Sequence, residues 1–159
     1  MKKSTKKVIT TNSRRETQAA GTAFGVFLAK LPALSSRAVV VALRGELGAG
    51  KTTFVQGVAK GLGVKEKILS PTFVIVKSYQ LKTINYKLLY HIDCYRIKDE
   101  RDLLALDWEE IASDPKNIVL IEWPERVKKI LPKDAISISF ETLKTSKSHS
   151  RKITFSDLT

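Results

Sequence analysis

Residues 45–52, with the sequence GELGAGKT, constrain the fold of this chain more than any other feature. Their spacing of Gly, four free positions, Gly, Lys and then Ser or Thr is the pattern of a phosphate-binding loop. Glycines let the backbone curl so that successive N–H groups face phosphate oxygens. We therefore expect Lys51 to reach the β- and γ-phosphates of a nucleotide, and Thr52 to offer its hydroxyl to Mg²⁺.

The segments on either side predict that this loop joins a strand to a helix. Residues 38–43 (AVVVAL) are apolar throughout, which is typical of a strand buried on both faces. Residues 52–60 fit a helix that Gly61 or Gly63 would close. In this order the N-terminus of the helix, which favours anions, faces the phosphates. The sequence therefore predicts an α/β fold with a phosphate site after this strand.

Length and composition predict one domain with a hydrophobic core. The chain has 159 residues, of which 43% are hydrophobic. We expect a basic N-terminal segment at residues 1–10 and a single domain at residues 11–159. The sequence lacks a run of about 18 apolar residues, which excludes a membrane-spanning helix, and its basic start lacks the apolar stretch of a signal peptide. A single cysteine, Cys94, fits a reducing cytoplasm.

The charge balance is strongly basic. The formal net charge is +12, from 28 Lys and Arg against 16 Asp and Glu. Such a surface attracts polyanions and would make association with nucleic acid sensitive to salt. A solvated, lysine-rich surface and a direct contact with RNA both fit this pattern, and we favour the solvated surface because the sequence has no signature of an RNA-binding fold.

Patterning predicts the remaining elements. Ser13 and Glu16 have the spacing of a capping box, which predicts a helix to about Leu31. The link between two later apolar runs is short, so we expect those two strands to be antiparallel, and a polar loop is expected between the last two strands. The predicted strands are 7–10, 73–79, 87–93, 118–122, 135–140 and 152–155, and one further helix is predicted at 102–112.

Two acids end apolar strands and are candidates for chemistry with a nucleotide. Glu122 follows the most apolar strand in the chain, and Asp93 ends a less apolar one. Ligands collect at the carboxyl ends of strands in open α/β sheets, so both acids are expected at one site. One would orient Mg²⁺ and the other the attacking water, but the sequence leaves open which does which.

Three further polar residues have two interpretations each. Thr72 either brings its hydroxyl to Mg²⁺ or the γ-phosphate, as switch loops do, or belongs to an ordinary turn set by Pro71. Arg96 either stabilises charge in the transition state or makes a structural ion pair. His91 lies in a predicted buried strand, and we interpret it as a core or orienting residue rather than a base.

Four motifs occur together in a fixed order along the chain. They are residues 45–53 (GELGAGKTT), 70–73 (SPTF), 91–96 (HIDCYR) and 121–126 (IEWPER). From about Ser13 to about Phe155, the chain resembles the bacterial TsaE (YjeE-like) ATPase family of tRNA threonylcarbamoyladenosine biosynthesis. The resemblance implies a P-loop NTPase-like three-layer sandwich with a mixed central sheet between helices.

The same resemblance implies a function and its partners. It implies weak hydrolysis of ATP with Mg²⁺ as cofactor. It implies action with the threonylcarbamoyl-transferase TsaD and its partner TsaB, which modify adenosine 37 of tRNA. The tRNA would be reached through the complex, and the ATP cycle would reset or regulate that complex between turnovers.

The resemblance also implies roles for individual residues. Thr52 and Glu122 would hold Mg²⁺, Asp93 would support hydrolysis near the metal, and Trp123 would lie beside the site. The segment around Thr11 to Arg14 is expected near the adenine. The expected catalytic residues are Lys51, Thr72, Asp93 and Glu122. The expected nucleotide-binding residues are Arg14, Gly45, Glu46, Leu47, Gly48, Ala49, Gly50, Lys51, Thr52 and Thr53.

Three other classes of protein share parts of this pattern. A small-molecule kinase also has a phosphate-binding loop, but it usually needs an arginine-rich lid, and here only Arg151 follows Arg126. A GTPase is disfavoured because the Asn-Lys-x-Asp sequence is absent. A basic RNA-binding module with a vestigial nucleotide site is disfavoured by the intact Lys51, Asp93 and Glu122. The kinase remains the main alternative.

Overall fold

The computed structural model describes residues 6–145, 148–156 and 158. This part of the chain contains seven strands, four α-helices and one 3₁₀ helix. The strands are β1 (Lys7–Thr11), β2 (Val39–Arg44), β3 (Val76–Gln80), β4 (Leu88–Asp93), β5 (Asn117–Glu122), β6 (Ile136–Thr145) and β7 (Ser148–Ser156). The helices are α1 (Arg14–Lys30), α2 (Lys51–Gly61), α3 (Glu100–Leu104) and α4 (Trp108–Ser113), and a 3₁₀ helix covers Pro124–Ile130.

The strands form one open, mixed sheet in the order β1-β7-β6-β2-β5-β4-β3. Strand β2 lies at its centre and pairs in parallel with both β5 and β6, and β5 pairs in parallel with β4. The outer pairs, β3 with β4, β6 with β7 and β1 with β7, are antiparallel. The carboxyl ends of β2, β4 and β5 therefore meet at one edge of the sheet, where a ligand is expected.

Both faces of this sheet are buried. On β2, Val41 and Leu43 belong to the core that includes α1 and α2, whereas Val40 and Ala42 belong to the core that includes α3 and α4. The period of two along the strand explains why an uninterrupted apolar run was required there. The prediction of a mixed sheet between helical layers is confirmed.

Helix α1 packs directly against α2, the helix that follows the phosphate-binding loop. A methyl group built at Gly57 of α2 would lie 2.1 Å from the carbonyl oxygen of Gln18 in α1, and one at Gly21 of α1 would lie 2.2 Å from the carbonyl oxygen of Phe54. Both contacts are too short for any side chain, so glycine is required where the two backbones approach. Ser13 caps α1 through its hydroxyl, which accepts from Glu16 N at 3.1 Å, as the capping-box spacing predicts.

Three predicted elements differ from the structure. The strand predicted at 73–79 begins only at Val76, because the N–H groups of Val74 and Ile75 both donate to the Pro71 carbonyl and form a turn. The helix predicted at 102–112 is two short helices, separated near Asp107, which has a left-handed φ of 61°. Most of the predicted polar loop between the last two strands is paired β-structure, since β6 extends to Thr145. The antiparallel pairing of β3 with β4 is confirmed.

Residues 7–10 of the predicted basic segment lie in β1, which pairs with β7 in the sheet, while residues 1–5 lie outside the described part of the chain. Among the described residues, no helix has the length and apolarity that crossing a membrane requires.

Candidate functional site

The glycine-rich loop connects the central strand to α2. Gly48 and Gly50 have φ angles of 75° and 101°, in the left-handed region that only glycine enters without strain. The backbone reverses direction at these glycines, and α2 begins at Lys51, directly after Gly50. The N-terminus of α2 therefore opens towards the loop, and its unpaired N–H groups and dipole favour an anion there.

Lys51 is folded back into this loop. It is 5% exposed, and its Nζ donates to the carbonyl oxygens of Gly45 and Glu46. The same Nζ lies 4.3 Å from the centroid of the Trp123 ring, a cation–π contact. Burial lowers the pKa of Lys51, and the negative charge of Glu122 opposes that shift. A polyanion brought to the loop would compensate the buried ammonium.

Thr52, Glu122 and His91 form a hydrogen-bonded group behind the loop. Thr52 Oγ1 donates to Glu122 Oε1 at 3.0 Å, and His91 Nε2 lies 2.9 Å from the same oxygen. Glu122 is 3% exposed and His91 is fully buried. The structure thus brings together the two residues expected to bind metal, and it adds His91 as the group that fixes the carboxylate.

Thr72 and Asp93 form a second polar pair. Thr72 Oγ1 donates to Asp93 Oδ2 at 2.8 Å, and the N–H of Tyr95 donates to Asp93 Oδ1 at 2.9 Å. Asp93 is directly opposite Glu122 in the pairing of β4 with β5. The two acids that the sequence could not assign therefore end adjacent parallel strands at the same edge. Ser70 lies beside the pair, with its Oγ 2.6 Å from Thr72 Oγ1.

The loop, the Thr52–Glu122 pair and the Thr72–Asp93 pair line one cleft of about 520 Å³, a size suited to a nucleotide, whereas His91 lies outside its lining. Gly45 and Glu46 are outside its lining and contact Lys51 from behind through their carbonyls. The residues expected at the site that line the cleft are Arg14, Leu47, Gly48, Ala49, Gly50, Lys51, Thr52, Thr53, Thr72, Asp93, Glu122 and Trp123.

Two other candidates lie elsewhere. Arg96 is outside the cleft lining, and its guanidinium lies 4.4 Å from the centroid of the Phe73 ring. Neither of its interpretations from the sequence, a transition-state cation or an ion pair, matches this stacking contact. Cys94 is fully buried, and burial raises the pKa of its thiol to about 12, so the thiol stays protonated and unreactive.

The sequence interpretation missed residues that reach the cleft from the end of the sheet. Arg151 and His149 of β7 line it, and Arg151 Nη2 donates to the Gly48 carbonyl at 3.1 Å. Asn12, Ser13 and Arg14 also line the cleft, and they belong to the segment that was expected there. A signal was present, because residues 151, 153 and 155 alternate along a strand and share one face. Ile153 packs in the core beside α1 and α2, so Arg151 is directed to the side on which α2 begins.

Comparisons with known proteins agree on one family. The family model described as threonylcarbamoyl adenosine biosynthesis protein TsaE matches residues 11–153. The tRNA threonylcarbamoyladenosine biosynthesis protein TsaE of Bacillus subtilis is 40% identical over 116 residues, which are 73% of this chain and 68% of that protein. The protein of the same name from a Nostoc species is 47% identical over 91 residues, or 55% of this chain and 54% of that protein.

A solved structure shows the same architecture. The crystal structure of Bacillus subtilis YdiB matches with a TM-score of 0.71 at 28% identity, and the match covers 98% of this chain and 88% of that one. The P-loop NTPase-like α/β fold and the resemblance based on the four motifs are therefore confirmed. This chain belongs to the TsaE family of threonylcarbamoyl adenosine biosynthesis proteins.

Proposed function

We propose that this chain is an ATPase that binds ATP with Mg²⁺, hydrolyses it slowly by itself, and supports threonylcarbamoylation of adenosine 37 in tRNA. In this proposal it acts in the cytoplasm within a complex with TsaD and TsaB, and it meets tRNA through that complex. Residues 11–159 act as one domain. The observation that carries the proposal is that the loop, the Thr52–Glu122 pair and the Thr72–Asp93 pair line the same cleft.

The proposed binding step uses the loop and Lys51. Backbone N–H groups of residues 48–53 surround the phosphates, and the N-terminus of α2 adds its favourable dipole. Lys51 exchanges its bonds to the Gly45 and Glu46 carbonyls for phosphate oxygens. Because burial disfavours the bare ammonium, a phosphate gains from meeting a cation that is already desolvated.

The oxygen groups at the base of the cleft suit a hard divalent cation. Mg²⁺ is usually held by one or two carboxylates, a hydroxyl and substrate phosphates, and Thr52 and Glu122 supply such groups 3.0 Å apart. Among the described residues there is no cluster of three His, Cys, Asp or Glu that could hold a metal ion. Mg²⁺ held by Thr52, Glu122 and the nucleotide would neutralise negative charge on the phosphate oxygens.

In the proposed hydrolysis step, Asp93 orients the attacking water. Its carboxylate already receives bonds from Thr72 and from the Tyr95 N–H, which fix its position. Thr72 would leave Asp93 and bind the γ-phosphate, as the threonine of a switch loop does. Phosphate transfer of this kind depends mainly on positioning and charge, so few protein groups are needed.

The test combines hydrolysis with tRNA modification. We would measure ATP hydrolysis by the purified chain alone and with TsaB, TsaD and unmodified tRNA, while adenosine 37 modification is followed. Weak hydrolysis alone, with repeated rounds of modification only when ATP is hydrolysed, would support the proposal. Rapid phosphate transfer to a small acceptor without those partners would favour the kinase instead.

A further inference from the structure

Arg151 lines the cleft but lies outside all four motifs. It lies on β7, more than twenty residues beyond the last motif, yet its Nη2 donates to the Gly48 carbonyl at 3.1 Å. Its Nη1 donates to the His149 carbonyl at 2.9 Å, which orients the guanidinium plane. A methyl group built at Gly50 would lie 3.9 Å from Arg151 Nε, so the side chain runs along the rim of the loop.

Holding β7 in place does not require this side chain. At Arg151 the strand is paired on both sides, with Thr142 of β6 and with Thr11 of β1. A guanidinium has five N–H donors, and within the described part of the chain two of them donate, to the carbonyls of His149 and Gly48. Three donors therefore remain for a ligand without loss of the bonds to His149 and Gly48.

The order of the strands indicates which part of a nucleotide Arg151 would meet. The strands that carry Glu122 and Asp93 lie on one side of β2, and β6 and β7 lie on the other. If the acids act on the terminal phosphate, the α-phosphate and the nucleoside extend towards β7. Arg14, which follows the neighbouring β1, lines the cleft as well.

We propose that Arg151 is a further nucleotide-binding residue, whose guanidinium binds oxygens of the α- and β-phosphates from the hairpin side of the cleft. The inference rests on the proposed ATP binding. A guanidinium presents paired donors in a planar fork that matches phosphate oxygens. Arg151 would thereby add a second cation, on the side of the loop opposite the acids, to the charge of Lys51.

This position makes a distinctive prediction about the nucleotides. The α- and β-phosphates are common to ADP and ATP, so loss of Arg151 weakens the binding of both by the same factor. Uniform binding of this kind affects KM and leaves kcat for ATP hydrolysis unchanged. An arginine that stabilised the departing γ-phosphoryl group would instead lower kcat and leave ADP affinity intact.

The experiment compares Arg151→Gln with Lys152→Gln by calorimetric titration of ADP and of ATP, both with Mg²⁺. Lys152 is the matched control: it is the next residue, it carries the same charge, and it pairs with Glu141 at 3.7 Å, away from the cleft lining. We expect Arg151→Gln to raise Kd for both nucleotides by about ten- to a hundredfold. Lys152→Gln should bind both nucleotides as the unsubstituted protein does.

Stability and a second substitution separate binding from folding. Thermal unfolding without nucleotide is compared first, and Arg151→Lys, which keeps the charge but loses the fork, should bind ADP more weakly than the unsubstituted protein. ADP affinity that is unchanged in Arg151→Gln overturns the inference and leaves the proposed function standing. A fall in kcat alone would assign Arg151 to the γ-phosphate and also overturn it. An unsubstituted protein that binds neither nucleotide would overturn both proposals.

Discussion

Lys51 shows how strongly a single residue of this site depends on its neighbours. Its ammonium is almost completely buried, it is held by two backbone carbonyls and it contacts the face of the Trp123 ring. Burial lowers its pKa, and the nearby carboxylates, Glu122 first, only oppose that effect. Burying a cation costs free energy, and a phosphate bound beside Lys51 would offset that cost.

We therefore expect Lys51→Ala to abolish productive binding of ATP. The loop would lose the buried cation that reaches the β- and γ-phosphates, while its glycine geometry would remain. Calorimetric titration of ATP with Mg²⁺ measures the effect. The matched control is Lys60→Ala, at the exposed end of the same helix, which should bind ATP normally. Near-normal affinity in Lys51→Ala would contradict the role of Lys51.

His91 acts on the site through another residue. Its ring is fully buried, and its Nε2 lies 2.9 Å from Glu122 Oε1, so it holds the carboxylate that is proposed to bind Mg²⁺. Its Nδ1 has no hydrogen-bond partner among the residues that the structure describes. The contact between Nε2 and Glu122 agrees with the interpretation of His91 as an orienting residue. It also explains why a polar ring is buried in the middle of a core strand.

Replacing His91 by Phe should raise the Mg²⁺ concentration needed for half-maximal ATP hydrolysis. Glu122 would keep its bond from Thr52 but lose the second one, and a buried carboxylate that loses a bond costs about 1–3 kcal/mol of folding free energy. Titration of the hydrolysis rate with Mg²⁺ checks the prediction. His91→Gln, which offers an amide nitrogen in place of the ring nitrogen, should recover part of the loss. If both variants showed the same Mg²⁺ dependence as the unsubstituted protein, His91 would have no positioning role.

At the scale of elements, the contact between α1 and α2 sets the position of the phosphate-binding helix. Gly57 meets the backbone of α1 so closely that an added methyl group would lie 2.1 Å from the Gln18 carbonyl oxygen. Helix α1 also carries Arg14 and Thr17, which line the cleft. The glycine contact therefore joins the two helices that border the cleft.

Gly57→Ala should destabilise this protein. At an exposed position inside a helix, the same substitution generally stabilises a protein by about 1 kcal/mol. The added methyl group forces the helices apart, which costs about 1–3 kcal/mol through overpacking. Chemical denaturation at equilibrium measures the change. Lys60→Ala, in the next turn of α2 but exposed, should unfold like the unsubstituted protein. A more stable Gly57→Ala variant would show that the helices can separate without cost.

The elements also show what the sequence alone can predict. The buried strands β2 and β5 were recognisable because both of their faces are covered and their apolar runs are unbroken. The apolar run at residues 73–76 was misleading, since Phe73 is 81% exposed and belongs to a turn closed on the Pro71 carbonyl. Ile75 has a left-handed φ of 65°, an unfavourable conformation for a β-branched side chain. Its carbonyl accepts from the Asp93 N–H at 2.9 Å and its side chain packs against the core, and no local sequence pattern encodes these tertiary contacts.

The same limit applies to the candidate site. Motif spacing predicted which residues of the loop, β4 and β5 would come together, because parallel strands align their carboxyl ends. The contribution of Arg151 depends on how far the last hairpin extends and on which face of β7 meets α2. Both the length of this hairpin and the face of β7 that meets α2 depend on how the strands are arranged in the sheet. No short stretch of the sequence specifies that arrangement.

For the whole molecule, the dominant property is its net charge of +12. We expect binding to tRNA, where it occurs, to weaken steeply as salt concentration rises, because each phosphate contact releases counterions. Deleting residues 1–6, which precede β1 and include three lysines, should reduce the slope of log K against log salt. Filter-binding across a salt series measures it. An unchanged slope would leave the basic start of the chain as a solvated surface.

The sheet connects the first strand to the last: among the described residues, β7 is the one strand that pairs with β1, and β7 also carries the arginine at the rim of the loop. During synthesis, residues 7–11 can therefore form their strand pairing only after residues 151–155 have left the ribosome. The loop and both acids emerge long before that moment, yet one wall of the cleft is still missing. A growing chain thus carries all four motifs before the cleft has all of its walls, and completion of the cleft coincides with completion of the sheet.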